Sequence, residues 1–147
     1  MLSHIRRRRL ASLLPGVSLF LLSLFLVGFY VGDRSEAYFG FGILDFGWLG
    51  IFYWWPANLV WLANPLLIGA WLVMLRKESR SSIVLAILAL AIGSAFLLCK
   101  SVEIDESGSL HPISGYGAGY WIWLLSMAGT ALGSFVAIRY QQRGKAA

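Results

Sequence analysis

Polar and apolar positions separate along this chain into long blocks rather than into a fine alternation. Residues 13–31, 57–75, 83–99 and 120–138 form four runs without a single Asp, Glu, Lys, Arg or His. A hydrocarbon core about 30 Å thick takes about 20 residues of helix to cross. Lipid offers backbone groups no hydrogen-bond partner, so each run is expected to be a helix that satisfies itself. The period-two pattern of a transmembrane barrel strand is missing. The expected fold is all-α: a single transmembrane domain over 1–147, an integral membrane bundle of four transmembrane helices, with an aromatic interfacial segment between helices 1 and 2.

Two outer segments connect these runs, 33–55 and 100–119. The first sets Tyr38, Phe39, Phe41, Phe46, Trp48, Phe52, Trp54 and Trp55 among glycines, with Asp45 in its middle. Its apolar part is too short to cross, and Trp and Tyr rings settle at the membrane–water interface. Trp48, Trp54 and Trp55 are the candidate outer-interface contacts, either as anchors or as a docking surface for a partner. In the second segment, 102–105 and 110–113 flank a turn-rich stretch and predict a hairpin. Residues 113–117 read like a potassium-channel filter but lack the apolar pore helix before it, so a flexible turn into the fourth helix is expected.

Composition agrees with a membrane class: 59% of residues are hydrophobic and 13% charged, where soluble domains carry about 25% charged. The single Cys excludes an internal disulfide. The net charge of +5 is informative through its placement. All of the 12 Lys and Arg except Arg34 and Lys100 lie before the first run, between the second and third, or after the fourth. The acids other than Glu78 lie on the opposite side. This asymmetry predicts cytoplasmic termini and an attraction to anionic lipid, with no nucleic-acid partner. Arg6–Arg9 and the following leucines resemble a signal peptide, but the apolar run is too long and no small-x-small cleavage site follows it.

Helices associate in lipid by close packing of small residues and by interhelical hydrogen bonds. Ser126, Gly129, Thr130, Gly133, Ser134 and Ala137 share one face of the fourth run, and Gly129 and Gly133 form a GxxxG pair. That face serves either packing within the bundle or contact with a partner helix. Ala89 with Gly93, and Gly28 with Gly32, are further small pairs. Asn64 precedes Pro65, which cannot bond the Trp61 carbonyl. The Asn64 amide is expected to bond that carbonyl or a neighbouring helix, or to contact a substrate or partner. Asn58 lies one turn from the outer surface, within reach of water. Glu103, Asp105, Glu106 and His111 cluster, but their spacing fits neither an EF-hand nor a zinc signature. No metal, cofactor or catalytic residue is expected, and no ionisable group inside a run suggests ion-coupled transport.

Ala63-Asn64-Pro65-Leu66, Ile104-Asp105-Glu106 and the run from Gly115 to Leu124 together resemble small four-span bacterial inner-membrane proteins of unknown function. The resemblance covers about 61–126; it implies a bacterial inner membrane and brings no activity with it. In size and layout the chain is also similar to immunity proteins against pore-forming bacteriocins. The expected function is that of a non-enzymatic polytopic inner-membrane protein working through intramembrane and outer-face contacts, as an accessory subunit or an immunity protein against a membrane-targeted toxin. The alternative is a subunit of an oligomeric channel or small-solute transporter, with Asn64 and Ser126 near the path. Expected partners are the lipid bilayer and, through the fourth helix, another membrane protein or a second copy.

Overall fold

The first apolar run divides into a helix and a strand. In the computed structural model, which describes residues 2–53, 56–76, 79–103 and 109–146 (backbone only for 2–9, 53, 141 and 143–146), helix α1 covers Leu2–Leu24 and then stops. The amides of Phe25 and Leu26 close the end of α1 on the carbonyls of Leu22 and Ser23. The chain then enters strand β1, Val27–Val31. Val27, Phe29, Tyr30 and Val31 are β-branched or aromatic, residues that favour a pleated surface, and an apolar run this short carries no periodicity that separates strand from helix.

β1 is the second strand of a four-stranded antiparallel sheet ordered β2-β1-β4-β3, where β2 is Glu36–Phe39, β3 is Ser101–Glu103 and β4 is Leu110–Tyr116. Val31 faces Glu36 across one neighbour and Ile113 across the other. The expected hairpin is present as β3 and β4, with Val102 opposite His111 and Glu103 opposite Leu110. Its tip, with Asp105 and Glu106, lies outside the described residues. Strand β4 continues into the stretch expected to be a flexible turn, and the Gly117 amide donates to Gly28 O at 2.8 Å. A Cβ at Gly117 or Gly119 would press on the Val27 or Leu26 carbonyl, so glycine lets the two chain segments meet.

Between β2 and the next long helix lie α2 (Gly40–Phe46), a 3₁₀ turn (Leu49–Tyr53) and α3 (Pro56–Leu59). A second 3₁₀ turn (Val60–Leu62) leads into α4 (Ala63–Leu75). The tightened turn falls where Pro65 withholds its donor from Trp61. Helix α5 (Ser79–Ala95) ends in a third 3₁₀ turn, Phe96–Leu98, and α6 spans Ala118–Ala146.

The expectation of an all-α, four-span bundle is thus corrected on two counts. Among the described residues, three helical stretches are long and apolar enough to cross a membrane: Pro56–Leu75, Ser79–Leu98 and Ala118–Tyr140. The apolar part of α1, Leu10–Leu24, is shorter; it gives about 22 Å of helix at 1.5 Å per residue, against a core of about 30 Å. The second count is the sheet, which carries Gly28 and its turn partner Gly32 out of any helix. Phe29 and Val31 of the sheet pack with Val60, Phe96 and Tyr120, which puts the sheet at one end of the bundle.

Three layers of core run from that end downward. Phe29, Val31, Val60, Phe96 and Tyr120 join sheet to helices; Phe20, Leu67, Ala89 and Met127 fill the middle; Leu13, Met74 and Ala137 close the far end. The far end gathers the start of α1, the end of α4, the start of α5 and the C-terminal part of α6, which are the places where the basic residues cluster. Arg34 and Lys100 lie at the sheet end. Leu72, Val84, Ile87 and Leu132 point outward from the three long helices, as residues facing lipid do.

Candidate functional site

The polar atoms of the helices form a ladder rather than a cleft. Ser126 Oγ donates to Trp123 O (2.6 Å), Thr130 Oγ1 to Ser126 O (2.8 Å) and Ser134 Oγ to Thr130 O (2.8 Å). Trp71 Nε1 reaches Thr130 Oγ1 from α4 at 3.0 Å, and Ser82 shares a 2.8 Å hydrogen bond with Ser134 from α5. Ser82, Ser126, Thr130 and Ser134 are fully buried. These bonds and the fit of small residues tie α4 and α5 to α6.

The GxxxG pair on the same helix is taken up inside the chain. A Cβ at Gly133 would overlap the Ser12 carbonyl oxygen, and Gly129 faces the Gly16 backbone at 3.7 Å. Helix α1 thereby occupies this face, which is the packing within the bundle that was one of its two expected uses. Gly93 of α5 likewise backs onto Trp123, Leu124 and Met127. Asn64 meets a neighbouring helix: Trp123 Nε1 donates to its Oδ1 at 2.9 Å.

At the sheet end, the aromatic segment folds back over the tops of the helices. Trp61 Nε1 donates to Leu44 O at 3.1 Å and ties α2 down. Gly47 allows this approach, because a Cβ there would overlap the Ile43 carbonyl and meet Trp61 Cδ1 at 2.5 Å. The outward side of this roof leaves Phe41, Phe46, Trp48 and Phe52 exposed, with the rings of Trp48 and Phe52 edge-on at 6.3 Å. Trp54 and Trp55 lie outside the described residues.

Beneath the roof is a cavity of about 480 Å³, within the range of about 300–1,000 Å³ usual for small-molecule sites. Its wall is mainly apolar, built from Leu24, Phe29, Ile43, Val60, Phe96 and Trp123, with Glu103 contributed by β3. Two amides also line it, Asn58 and Asn64. They differ sharply: Asn64 is paired with Trp123, whereas Asn58, only 9% exposed, has no hydrogen-bond partner for Nδ2. Gly50 passes so close to Asn58 that a Cβ there would stand 2.7 Å from Cγ and 2.8 Å from Nδ2. Asn58 was expected to be wet; the roof shuts it in. Sequence offered one signal for this, an amide at the mouth of an apolar helix opposite a glycine- and aromatic-rich segment.

The junction under the sheet is stiff. Phe96 sits among Phe29, Tyr116 and Tyr120, with ring centroids 5.4, 5.7 and 5.8 Å away, and such pairs are each worth about 0.5–1.5 kcal/mol beyond their burial. Tyr116 donates its hydroxyl to Phe96 O at 3.1 Å and Tyr120 to Gly93 O at 3.0 Å. Burial pushes the Cys99 thiol up from its ordinary pKa; it pushes Tyr116 up as well, and Cys99 adds to that shift. Glu103 and His111 stand on adjacent strands, and among the described residues no group of three or more His, Cys, Asp or Glu is placed to hold a metal ion. No protein-family model, curated protein or solved structure matches the chain, so the cavity and its roof are what it offers for a functional reading.

Proposed function

We propose that the protein is a polytopic protein of a bacterial inner membrane, with its basic end at the cytoplasm, and that it works without catalysing a reaction. It holds the apolar part of another molecule in the cavity under the aromatic roof on the outer side. This is the kind of contact an accessory subunit or immunity protein makes, located at the cavity rather than on the α6 face that α1 fills. One observation carries the reading: a cavity of about 480 Å³ with a mainly apolar wall, at one end of an apolar helix. Sites of this composition, apolar with a few polar groups that orient the ligand, are the usual form of a ligand pocket.

The membrane orientation is supported by charge. The basic residues cluster at the end opposite the sheet, and the positive-inside bias assigns such an end to the cytoplasm. The exposed Phe and Trp rings of the roof suit the outer interfacial layer. Photolabelling with a diazirine-bearing hydrocarbon tests the site. Peptides carrying Leu44 and Trp61 are expected to be labelled in the wild type and protected in Ala57→Phe, which fills the cavity from α3, while lipid-facing Leu132 is labelled alike in both. Equal labelling of Leu44 and Trp61 in the two proteins would refute the reading.

A further inference from the structure

We propose that the cavity binds a hydrophobic organic cation, with its ammonium group beside Glu103 and its aromatic or alkyl body under the roof. The inference rests on the cavity being a binding site, and it names the chemical class of the occupant. Among the described residues, Glu103 is the one charged side chain on the wall. Arg34, Lys100 and His111, the basic residues of the same end, are not part of it.

The sign of that charge selects the sign of the occupant. Glu103 is half-buried on β3, and near a protein surface an effective dielectric of about 20 makes an ion pair about four times as strong as in water. The hydrogen-bond donors of the wall select the same sign. Trp61 and Trp123 give their ring N–H groups to Leu44 O and Asn64 Oδ1. Ser23 gives its hydroxyl to Phe20 O, and Tyr120 its hydroxyl to Gly93 O. Asn58 Nδ2 is sealed behind Gly50. An anion needs donors to replace its hydration, and these are spent inside the chain. An ammonium group needs acceptors, and a carboxylate is acceptor only.

Aromatic rings add to the fit. The negative faces of aromatic side chains attract cations, Trp most strongly, and Phe29, Tyr38, Trp61, Phe96, Tyr120 and Trp123 all line the cavity. With their N–H groups already engaged, the two indoles contribute ring surface rather than donors. The mainly apolar remainder of the wall requires an apolar body on the cation, because a small hydrated ion would lose its water there without replacement. A helical peptide 10–12 Å across would fill about 480 Å³ with little more than one turn, so the occupant is a small molecule.

The test uses the full chain in a non-ionic detergent with diphenylhexatriene and its trimethylammonium derivative, two rods that differ by the cationic group. Retained ligand is read by native mass spectrometry. The wild type is expected to hold one cationic rod per chain about tenfold more tightly than the neutral one. Glu103→Gln, which keeps the shape and removes the charge, is expected to hold both at the neutral level. Glu103→Asp is expected to keep the preference. Asp33→Asn, which removes an exposed acid at the same end but off the wall, is expected to match the wild type. Ala57→Phe, which fills the cavity, is expected to lose both rods. Equal retention of the two rods by the wild type, a preference that survives in Glu103→Gln, or one lost equally in Asp33→Asn overturns the cation assignment and leaves cavity binding standing. A wild type that retains neither rod, or an Ala57→Phe protein that retains both undiminished, overturns both.

Discussion

Alanine at Gly133 and alanine at Gly129 should shift stability in opposite directions, although both belong to one GxxxG pair on α6. At Gly133 the new methyl would overlap the Ser12 carbonyl oxygen of α1, a backbone atom that cannot swing aside. Overpacking a tight contact costs about 1–3 kcal/mol, and a backbone obstacle argues for the upper end. Replacing a helix-interior glycine by alanine returns about 1 kcal/mol of propensity. The net expectation for Gly133→Ala is a loss of about 2 kcal/mol. At Gly129 the nearest atoms are the Cα and N of Gly16 at 3.7 Å, an ordinary van der Waals separation. Gly129→Ala should therefore keep most of the propensity gain, about 0.5–1 kcal/mol. The assay is unfolding of the detergent-solubilised protein by added SDS, followed by tryptophan fluorescence, with the midpoints compared. Equal midpoints for the two variants, or a more stable Gly133→Ala, would show that α1 does not pack on α6 in this register.

Three further outcomes follow from the same packing. A double-mutant cycle on Ser82→Ala and Ser134→Ala should give a coupling of about 0.6 kcal/mol, the usual worth of an interhelical hydrogen bond in a membrane protein; zero coupling would remove their 2.8 Å contact from the ladder. Gly32→Ala should lower stability by about 1–2 kcal/mol in the same SDS titration, because Gly32 turns the β1–β2 hairpin with φ +56° and its new Cβ would meet Ser35 Oγ at 3.1 Å. Burial raises the Cys99 thiol, so maleimide labelling should show a midpoint above the ordinary thiol value of about 8.5. With the folded-state value raised, the folded protein is favoured while the thiol stays protonated. Stability should be complete below about pH 8.5 and decline as the pH rises beyond it, with Tyr116 acting in the same direction at higher pH. A labelling midpoint at or below the ordinary value would contradict the partly buried setting of Cys99.

What the amino-acid order determined by itself was everything that adds up locally. Hydropathy is a sum over a window, so the apolar runs at 57–75, 83–99 and 120–138 announced helices that can cross a bilayer. Charge placement marked the two ends of the bundle, and the spacing of Ser126, Gly129, Thr130, Gly133 and Ser134 put them on one face. Pairing between distant segments was a matter for tertiary structure. Val27–Val31 is as apolar as the helix before it, and only hydrogen bonding to β2 and to β4, more than eighty residues along the chain, turns it into a strand. The small-residue face had to be filled by something, but nothing in α6 could say that Ser12 and Gly16 of α1 would fill it. Asn58 shows the gap most clearly. Its neighbours in sequence leave it near water, and its isolation comes from Gly50 and the roof folding across it, a contact between segments whose geometry no window of residues encodes.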